Sequence, residues 1–384
     1  MNELSLPQDN EELRLLADSA EAFAKKSLAP ARLRALRKTE IGFDRALWQQ
    51  LGDLGWTALL VPEPYGGLGL TLLHMTTIIE ALGKRLLPEP LAAISVLTTS
   101  ILAQAENETL KQQLLPRLAA ADLIAAVAWQ EGTRLDGPRE ARATQRGSTV
   151  AISGRKRYVR PGAGCDGVIV ATDTGENTAL YWVPRDTEGV RFGEEKSADG
   201  SPSGIVELSD ARVPLEFRLA AGFEAASLLR RALDAATIAT SAELLGLMRG
   251  AFDATLEHLG TRTQFGKKIG SFQALQHRIV DLYIQIRLSA ACVADVVSRY
   301  ESTDDPSALS ALASRAKSRC SDAALLVTRE AVQMHGAIGF TDEHDIGLYL
   351  NRAFVLASWL GNGTEHRARY TRLQGAAAGS EEHA

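Results

Sequence analysis

The sequence has few cysteines, and their spacing does not suggest a joint role. Only Cys165, Cys292 and Cys320 occur among 384 residues, and no two of them form a CxxC pair. An odd number of isolated thiols argues against a disulfide framework and against a cysteine-rich zinc site. We therefore expect three buried thiols that pack as small apolar side chains.

Paired histidines are also missing. None of the seven histidines stands four residues from another, so the chain has neither an HxxxH nor an HExxH ligand pair on one helix. The sequence therefore predicts no metal site.

The chain lacks a positive charge excess and a long apolar run. It carries 42 Lys and Arg against 47 Asp and Glu, a net charge of -5, which argues against nucleic-acid binding. No stretch approaches the roughly 20 apolar residues of a membrane helix, and residues 1–16 do not resemble a leader. We expect a cytoplasmic protein with small-molecule or protein partners, and with neither nucleic acid nor membrane among them.

Three regions with different residue patterns follow one another along the chain. Apolar residues recur at helical spacing up to about residue 120. Short runs rich in Val, Ile and aromatics, separated by Gly, Asp and Pro, then follow to about residue 222. Long helical periods return at residues 227–259, 271–300 and 307–334. The predicted fold is a multidomain α+β chain with a helical domain (1–120), an antiparallel β barrel or sandwich (121–222) and a helical bundle (223–384).

Two motifs in the C-terminal third suggest a function. Residues 262–277 read RTQFGKKIGSFQALQH, and residues 331–341 read AVQMHGAIGFT. Taken alone, the first motif can be explained by Phe and Ile packing in the core beside a solvated Arg. The second can be explained as a helix end capped by glycine. Together and in this order they resemble the RxxFGxxIGxFQxxxH and AxQxxGxxGFT elements of acyl-CoA dehydrogenases. Weaker matches, such as VPEPYGGLG at 61–69, extend the resemblance over nearly the whole chain.

The resemblance implies the fold and the cofactor. Members of that family have a four-helix bundle as C-terminal domain, bind FAD and form dimers or tetramers in which the neighbouring subunit contributes to the FAD site. On this basis the expected FAD contacts are Arg262, Phe265, Gln273, Gln333, Gly336 and Gly339 from the motifs, and Trp129, Glu131, Tyr158 and Arg160 from the strands. Arg262 suits a diphosphate because its guanidinium offers a fork of donors. The Gly-Ser-Asp stretch of many relatives is replaced by residues 132–136, GTRLD.

The family's reaction needs a carboxylate base, and the resemblance does not find one. Relatives place it in a YEGT or GDxxxHR context, which aligns with residues 361–367, GNGTEHR, and puts Asn362 at the acid position. Another branch of the family places its Glu where this chain has Ala236. Glu365 and Glu243 remain as substitutes, although Glu365 also suits a helix start and Glu243 a structural pair with an arginine.

Three hypotheses follow from the missing base. The chain is one subunit of a heteromeric acyl-CoA dehydrogenase whose paralogous partner carries the base, as in some bacterial relatives that act on steroid or other bulky side chains. Alternatively, it is a homo-oligomeric dehydrogenase that uses Glu365 or Glu243, or a non-catalytic protein that binds FAD or CoA. The resemblance implies an electron-transfer flavoprotein as the electron acceptor.

Overall fold

The computed structural model describes residues 11–135, 137, 140–174 and 177–381, with side chains described up to residue 375. The predictions for residues 1–10 and for Asp136 lie outside these residues.

Helices occupy the first part of the chain. Their bounds are α1 (Glu11–Ser27), α2 (Pro30–Leu36), α3 (Arg45–Asp53), α4 (Leu72–Gly83), α5 (Thr99–Gln104) and α6 (Glu108–Ala119), with a π-helical stretch at Ala92–Thr98 before α5. Two of them begin at polar caps. Asp44 accepts a hydrogen bond from the amide of Ala46, and Asn107 accepts one from the amide of Leu110.

Among the described residues, eight strands follow and form one sheet. They are β1 (Ala125–Ala128), β2 (Arg142–Arg146), β3 (Thr149–Val159), β4 (Gly167–Asp173), β5 (Thr178–Pro184), β6 (Val190–Lys196), β7 (Pro202–Pro214) and β8 (Arg218–Ala221). The order across the sheet is β6-β7-β3-β2-β4-β5-β8, and β1 pairs with β4.

The direction of two pairings differs from the antiparallel prediction. Most neighbours are antiparallel, but β1 runs parallel to β4, with Ala125 opposite Gly167, and β2 meets β4 in parallel at Arg142 and Asp173. The sheet is therefore mixed. In the chain, the β2–β3 hairpin lies between β1 and β4. Strand composition predicts burial but not which strand becomes the neighbour, so the parallel pairings were not predicted.

One GxGxxG spacing occurs, from Gly162 to Gly167. In a dinucleotide fold this spacing opens a helix after a strand. Here it runs directly into strand β4, which begins at Gly167. The spacing is therefore not a dinucleotide fingerprint.

The C-terminal part is helical, as predicted. It contains α7 (Gly222–Thr261), a hairpin of β9 (Thr263–Gln264) and β10 (Lys267–Lys268), α8 (Gln273–Tyr300), α9 (Pro306–His335), α10 (Ile346–Ser358) and α11 (Gly363–Glu381). The helix α9 begins at a proline behind an Asp cap, because Asp305 accepts from the amides of Ser307 and Ala308. In the described part of the chain no helix has the length and apolar character needed to cross a bilayer.

Two compact units divide the chain. Unit 1 comprises Met1–Leu33, Thr76–Leu87 and Thr237–Ala384, and unit 2 comprises Arg34–Met75 and Pro88–Ala236. Unit 2 contains the sheet. In unit 1, α9 is the central helix and packs against α8, α10 and α11. The predicted boundaries at residues 120 and 222 stay a prediction.

A close helix contact shapes the core of unit 1. A Cβ added at Gly246 of α7 would lie 1.9 Å from the backbone oxygen of Glu80, at the end of α4. Only glycine leaves room for this approach, because real Cβ atoms do not come so near to backbone oxygen. Gly260 on the same helix has no heavy atom within 4 Å of its added Cβ.

We predict that Gly246→Ala destabilises the protein by about 1–3 kcal/mol, the usual cost of overpacking a core. The matched control is Gly260→Ala, which should be neutral or stabilising by up to about 1 kcal/mol, because alanine favours helix. Urea unfolding midpoints measure both. Equal midpoints for the two variants would contradict the close contact.

Candidate active site

The first motif forms an exposed hairpin between α7 and α8. Gln264 of β9 pairs with Lys267 of β10, and the two residues of the turn, Phe265 and Gly266, have φ of 51° and 74°. Positive φ at both positions is what a type I′ turn requires. The side chain of Phe265 is 91% exposed, so the hairpin presents an aromatic ring to its surroundings.

Arg262 stands at the base of this hairpin. Its carbonyl accepts a hydrogen bond of 3.0 Å from the amide of Ile269, which closes the loop. The Arg262 side chain is exposed, and so is that of Gln273, the first residue of α8. The two polar side chains of the motif are therefore accessible to a ligand.

The second motif ends α9 and turns the chain. Gly336 has φ of 68° and ends the helix, and residues Gly336–Phe340 form a 3₁₀ turn. A Cβ on Gly339 would lie 2.7 Å from the backbone oxygen of Val332, so glycine lets this turn fold back on α9. Gln333 is exposed, and Phe340 is 76% exposed.

A histidine contact joins the two motifs within unit 1. His258 lies near the end of α7, four positions before Arg262, and its ring stacks on that of His335 with centroids 4.3 Å apart. His335 is the last residue of α9. The exposed residues of both motifs therefore flank one pair of stacked rings.

The predicted strand residues lie together in unit 2. Trp129 and Glu131 follow β1, Tyr158 lies near the end of β3, and Arg160 follows that strand. The Glu131 carboxylate pairs with the buried ammonium of Lys156 and accepts a hydrogen bond from the amide of Ala141. Glu131 thus has a structural role in holding the loop after β1.

Tyr158 has an unusual backbone. Its φ is 57°, a value that a bulky residue seldom adopts. The guanidinium of the neighbouring Arg157 lies 4.9 Å from the centroid of its ring, within the range of a cation–π contact. The ring is therefore held in a defined place at the end of the strand.

Asn362 caps helix α11. Its Oδ1 accepts hydrogen bonds of 3.0 Å from the amides of both Thr364 and Glu365, and the Glu365 carboxylate accepts one of 2.9 Å from the amide of Asn362. This reciprocal arrangement is a capping box. Both Asn362, at the predicted acid position, and Glu365, its predicted substitute, therefore stabilise the helix start.

Two buried side chains hold the segment before this cap. The Lys317 ammonium of α9 donates to the carbonyls of Leu356, Ala357 and Gly361 at 2.7, 3.1 and 3.0 Å. Nε2 of the buried His366 lies 2.8 Å from the carbonyl oxygen of Leu360. The segment that leads to Asn362 is therefore tied to the bundle from both sides.

The other substitute carboxylate, Glu243, belongs to an ion pair. Its Oε1 lies 2.6 Å from Nη2 of Arg352, and each side chain is 13% exposed. Ala236, which the sequence resemblance aligns with the base of the other branch, is fully buried. Neither position of α7 presents a free carboxylate.

Comparison with known proteins identifies the family. The models of the acyl-CoA dehydrogenase N-terminal and C-terminal domains match residues 10–122 and 221–372. This chain belongs to the acyl-CoA dehydrogenase family.

Relatives extend over nearly the whole chain. The acyl-CoA dehydrogenase IpdE2 of Mycolicibacterium smegmatis is 30% identical over 94% of this chain and 98% of its own length. The ChsE4-ChsE5 complex of Mycobacterium tuberculosis contains a chain that is 26% identical, with a TM-score of 0.87 over 96% of this chain and 98% of that one. A variant of the Tcur3481-Tcur3483 steroid ACAD reaches the same identity and TM-score over 96% of this chain and 99% of that one.

FAD is the cofactor of this acyl-CoA dehydrogenase family, and the exposed side chains of unit 1 fit it. Phe265 and Phe340 are large aromatics with little cover from their own chain, and Arg262 offers donors for a diphosphate. Exposed aromatic rings can pack against a flat ligand ring. That these residues contact FAD is our proposal.

The sequence did not indicate three residues that hold the segments of the candidate site. Lys317 and His366 hold the Asn362 segment, and His258 meets His335 across the motifs. An apolar helix pattern with one lysine inside was the only sequence signal for Lys317. The histidine pair had none, because its members come from distant segments.

We predict that Arg262→Ala weakens FAD binding by roughly tenfold or more, since a hydrogen bond to a charged group contributes about 1.5–3 kcal/mol. The ratio of flavin to protein absorbance after gel filtration at low micromolar protein measures retention. Arg299→Ala, an exposed arginine near the end of α8, is the control and should retain FAD. Equal retention by both variants would argue against a diphosphate contact.

Proposed function

We propose that the chain is one subunit of a heteromeric, FAD-dependent acyl-CoA dehydrogenase, in which the partner subunit carries the catalytic base. What supports this most is the carboxamide of Asn362, at the position that the sequence resemblance aligns with the relatives' acid. Heteromers also have a precedent among the relatives, because ChsE4-ChsE5 is a complex of two differently named chains.

The reaction converts an acyl-CoA thioester to a trans-2-enoyl-CoA. A carboxylate takes the α proton, and the electron pair of that C–H bond forms the new double bond as hydride leaves the β carbon. FAD, when bound, accepts that hydride. The base works best if burial raises its pKa toward neutrality.

Asn362 cannot perform this step. A carboxamide has no basic oxygen that takes up a proton near neutral pH, and its Oδ1 already accepts from two backbone amides. Losing a positioned base typically lowers the rate by roughly 10²–10⁴-fold. At this subunit the amide can orient a thioester but cannot deprotonate it.

The two substitute carboxylates have structural partners. Glu365 would have to give up its bond to the Asn362 amide, which is part of the cap. Glu243 would have to leave the Arg352 guanidinium. A partly buried ion pair that loses one charge leaves the other unpaired, which is costly. Both carboxylates are therefore better explained as parts of the fold.

A self-sufficient homo-oligomer is the second candidate. One observation favours it, namely that Glu365 touches the backbone of Asn362 and so lies beside the usual acid position. A protein that binds FAD or CoA without turnover is the third. The electron acceptor in our proposal is an electron-transfer flavoprotein, and the proposed location is the cytoplasm.

Restoring a carboxylate at residue 362 tests the proposal. Asp is as good a helix cap as Asn, so Asn362→Asp keeps the fold, and Asn362→Glu adds reach. Where this subunit binds both FAD and acyl-CoA, each should raise enoyl-CoA formation there by more than roughly tenfold, a conservative part of the general-base contribution. Butyryl-CoA, octanoyl-CoA and a steroid CoA thioester serve as probes, with product measured by mass spectrometry.

Glu365→Gln is the matched control, because glutamine also completes a capping box. In our account it leaves the activity of the complex unchanged, as does Glu243→Gln in any protein that stays folded. Brisk turnover by the unmodified chain alone, abolished by either change, would show that the missing-base argument is wrong.

A further inference from the structure

Three histidines from distant segments converge in unit 1. His258 lies near the end of α7, His335 ends α9, and His344 lies just before α10. The ring of His335 lies 4.3 Å from that of His258 and 4.6 Å from that of His344, measured between centroids. One ligand nitrogen from each ring lies within 4.8 Å of the other two.

His335 contributes a buried and unused lone pair. Its Nδ1 lies 2.7 Å from the carbonyl oxygen of Ala331, and because a carbonyl only accepts, Nδ1 carries the proton. Nε2 is then the basic nitrogen. This atom is buried without a hydrogen-bond partner in a residue that is 5% exposed. A buried acceptor without a partner costs free energy, and a ligand bound in the cluster would satisfy it.

Two of the three imidazoles, those of His258 and His335, favour the neutral form. Burial lowers the pKa of His335 to about 4, so its lone pair is available at neutral pH. Burial also lowers the pKa of His258, with smaller contributions from His344 and the Arg262 guanidinium. Neutral imidazole is the form that binds metal ions.

We propose that His258, His335 and His344 bind one divalent transition-metal ion, with zinc as the best fit. Imidazole ligands suit zinc and its neighbours rather than magnesium or calcium. Zinc–nitrogen bonds of about 2.0–2.1 Å place tetrahedral ligands ~3.4 Å apart. Binding therefore requires the His258 and His335 rings to turn out of their stacked arrangement and the three nitrogens to move closer together. Three histidines leave a fourth position for water.

Binding changes one existing contact. Nδ1 of His344 accepts a hydrogen bond of 3.1 Å from the amide of Ile346. If Nδ1 binds the ion, the ion replaces this hydrogen bond. If Nε2 binds the ion, the ring proton moves to Nδ1, and Nδ1 can then no longer accept the hydrogen bond from Ile346. The amide lies in the first turn of α10, where water can take over.

The ion would connect the segments that carry the two candidate FAD motifs. Arg262 follows His258 by four residues, and Gly336 follows His335 directly. The ion is therefore expected to stabilise these segments rather than to act on the thioester. The site departs from the sequence prediction of no metal, which considered only pairs of histidines on one helix. It does not depend on the proposed dehydrogenase function.

Cobalt(II) and zinc(II) titrations of tag-free protein, stripped with a chelator and dialysed, test the site without acyl-CoA. We expect one cobalt ion per chain with visible absorption typical of tetrahedral nitrogen ligation, displacement by zinc, and a rise in Tm of a few degrees on zinc binding. His258→Gln and His344→Gln, both partly exposed, should each weaken binding at least tenfold. His335→Gln should do the same if it folds.

His74→Gln, a histidine of unit 2 outside the cluster, is the control and should bind as tightly as the unmodified protein. No saturable binding would overturn the proposal. So would binding that survives His258→Gln and His344→Gln unchanged. Absence of acyl-CoA dehydrogenation by the assembled complex, with metal binding intact, would count against the proposed function alone.

Discussion

The position of the backbone at the candidate base, residue 362, depends most on the hydrogen bonds of the buried Lys317 ammonium. Its side chain is fully buried, and it donates to the carbonyls of residues 356, 357 and 361. A charge inside a protein is tolerated only when its hydrogen bonds are satisfied. The last carbonyls of α10 lack helical partners and carry the negative end of its dipole. One lysine therefore ties the end of α10, and the reversal after it, to α9.

Because the segment is anchored by other residues, residue 362 can cap the helix whether or not it can also act as a base. The segment is held by Lys317 and His366, and residue 362 then needs an oxygen that can accept from the first amides of α11. Asp and Asn do this equally well, but only Asp can take up a proton. A chain can therefore lose the base and keep the helix start unchanged. In a heteromer, one subunit can retain the fold while its partner retains the chemistry.

The sequence predicted the secondary structure well where local patterns are strong. The three long helices α7, α8 and α9 were predicted within a few residues at most ends, because their amphipathic periods extend over many turns and a proline marks the start of α9. The two motifs identified the family. The direction of β1 was not predicted, because its partner β4 is reached only after another hairpin. The contacts of His258, His335 and Lys317 join separate segments, so no local spacing shows them.

Exchange of the α hydrogen tests the central claim most directly, because it requires a base at the substrate and no electron acceptor. The purified chain, loaded with FAD and free of other subunits, is incubated with an acyl-CoA thioester in D₂O. Mass spectrometry then follows deuterium at the α carbon. A chain without its own base should incorporate deuterium no faster than the buffer control, whereas the assembled complex should do so rapidly. Rapid exchange by the isolated chain would contradict the account.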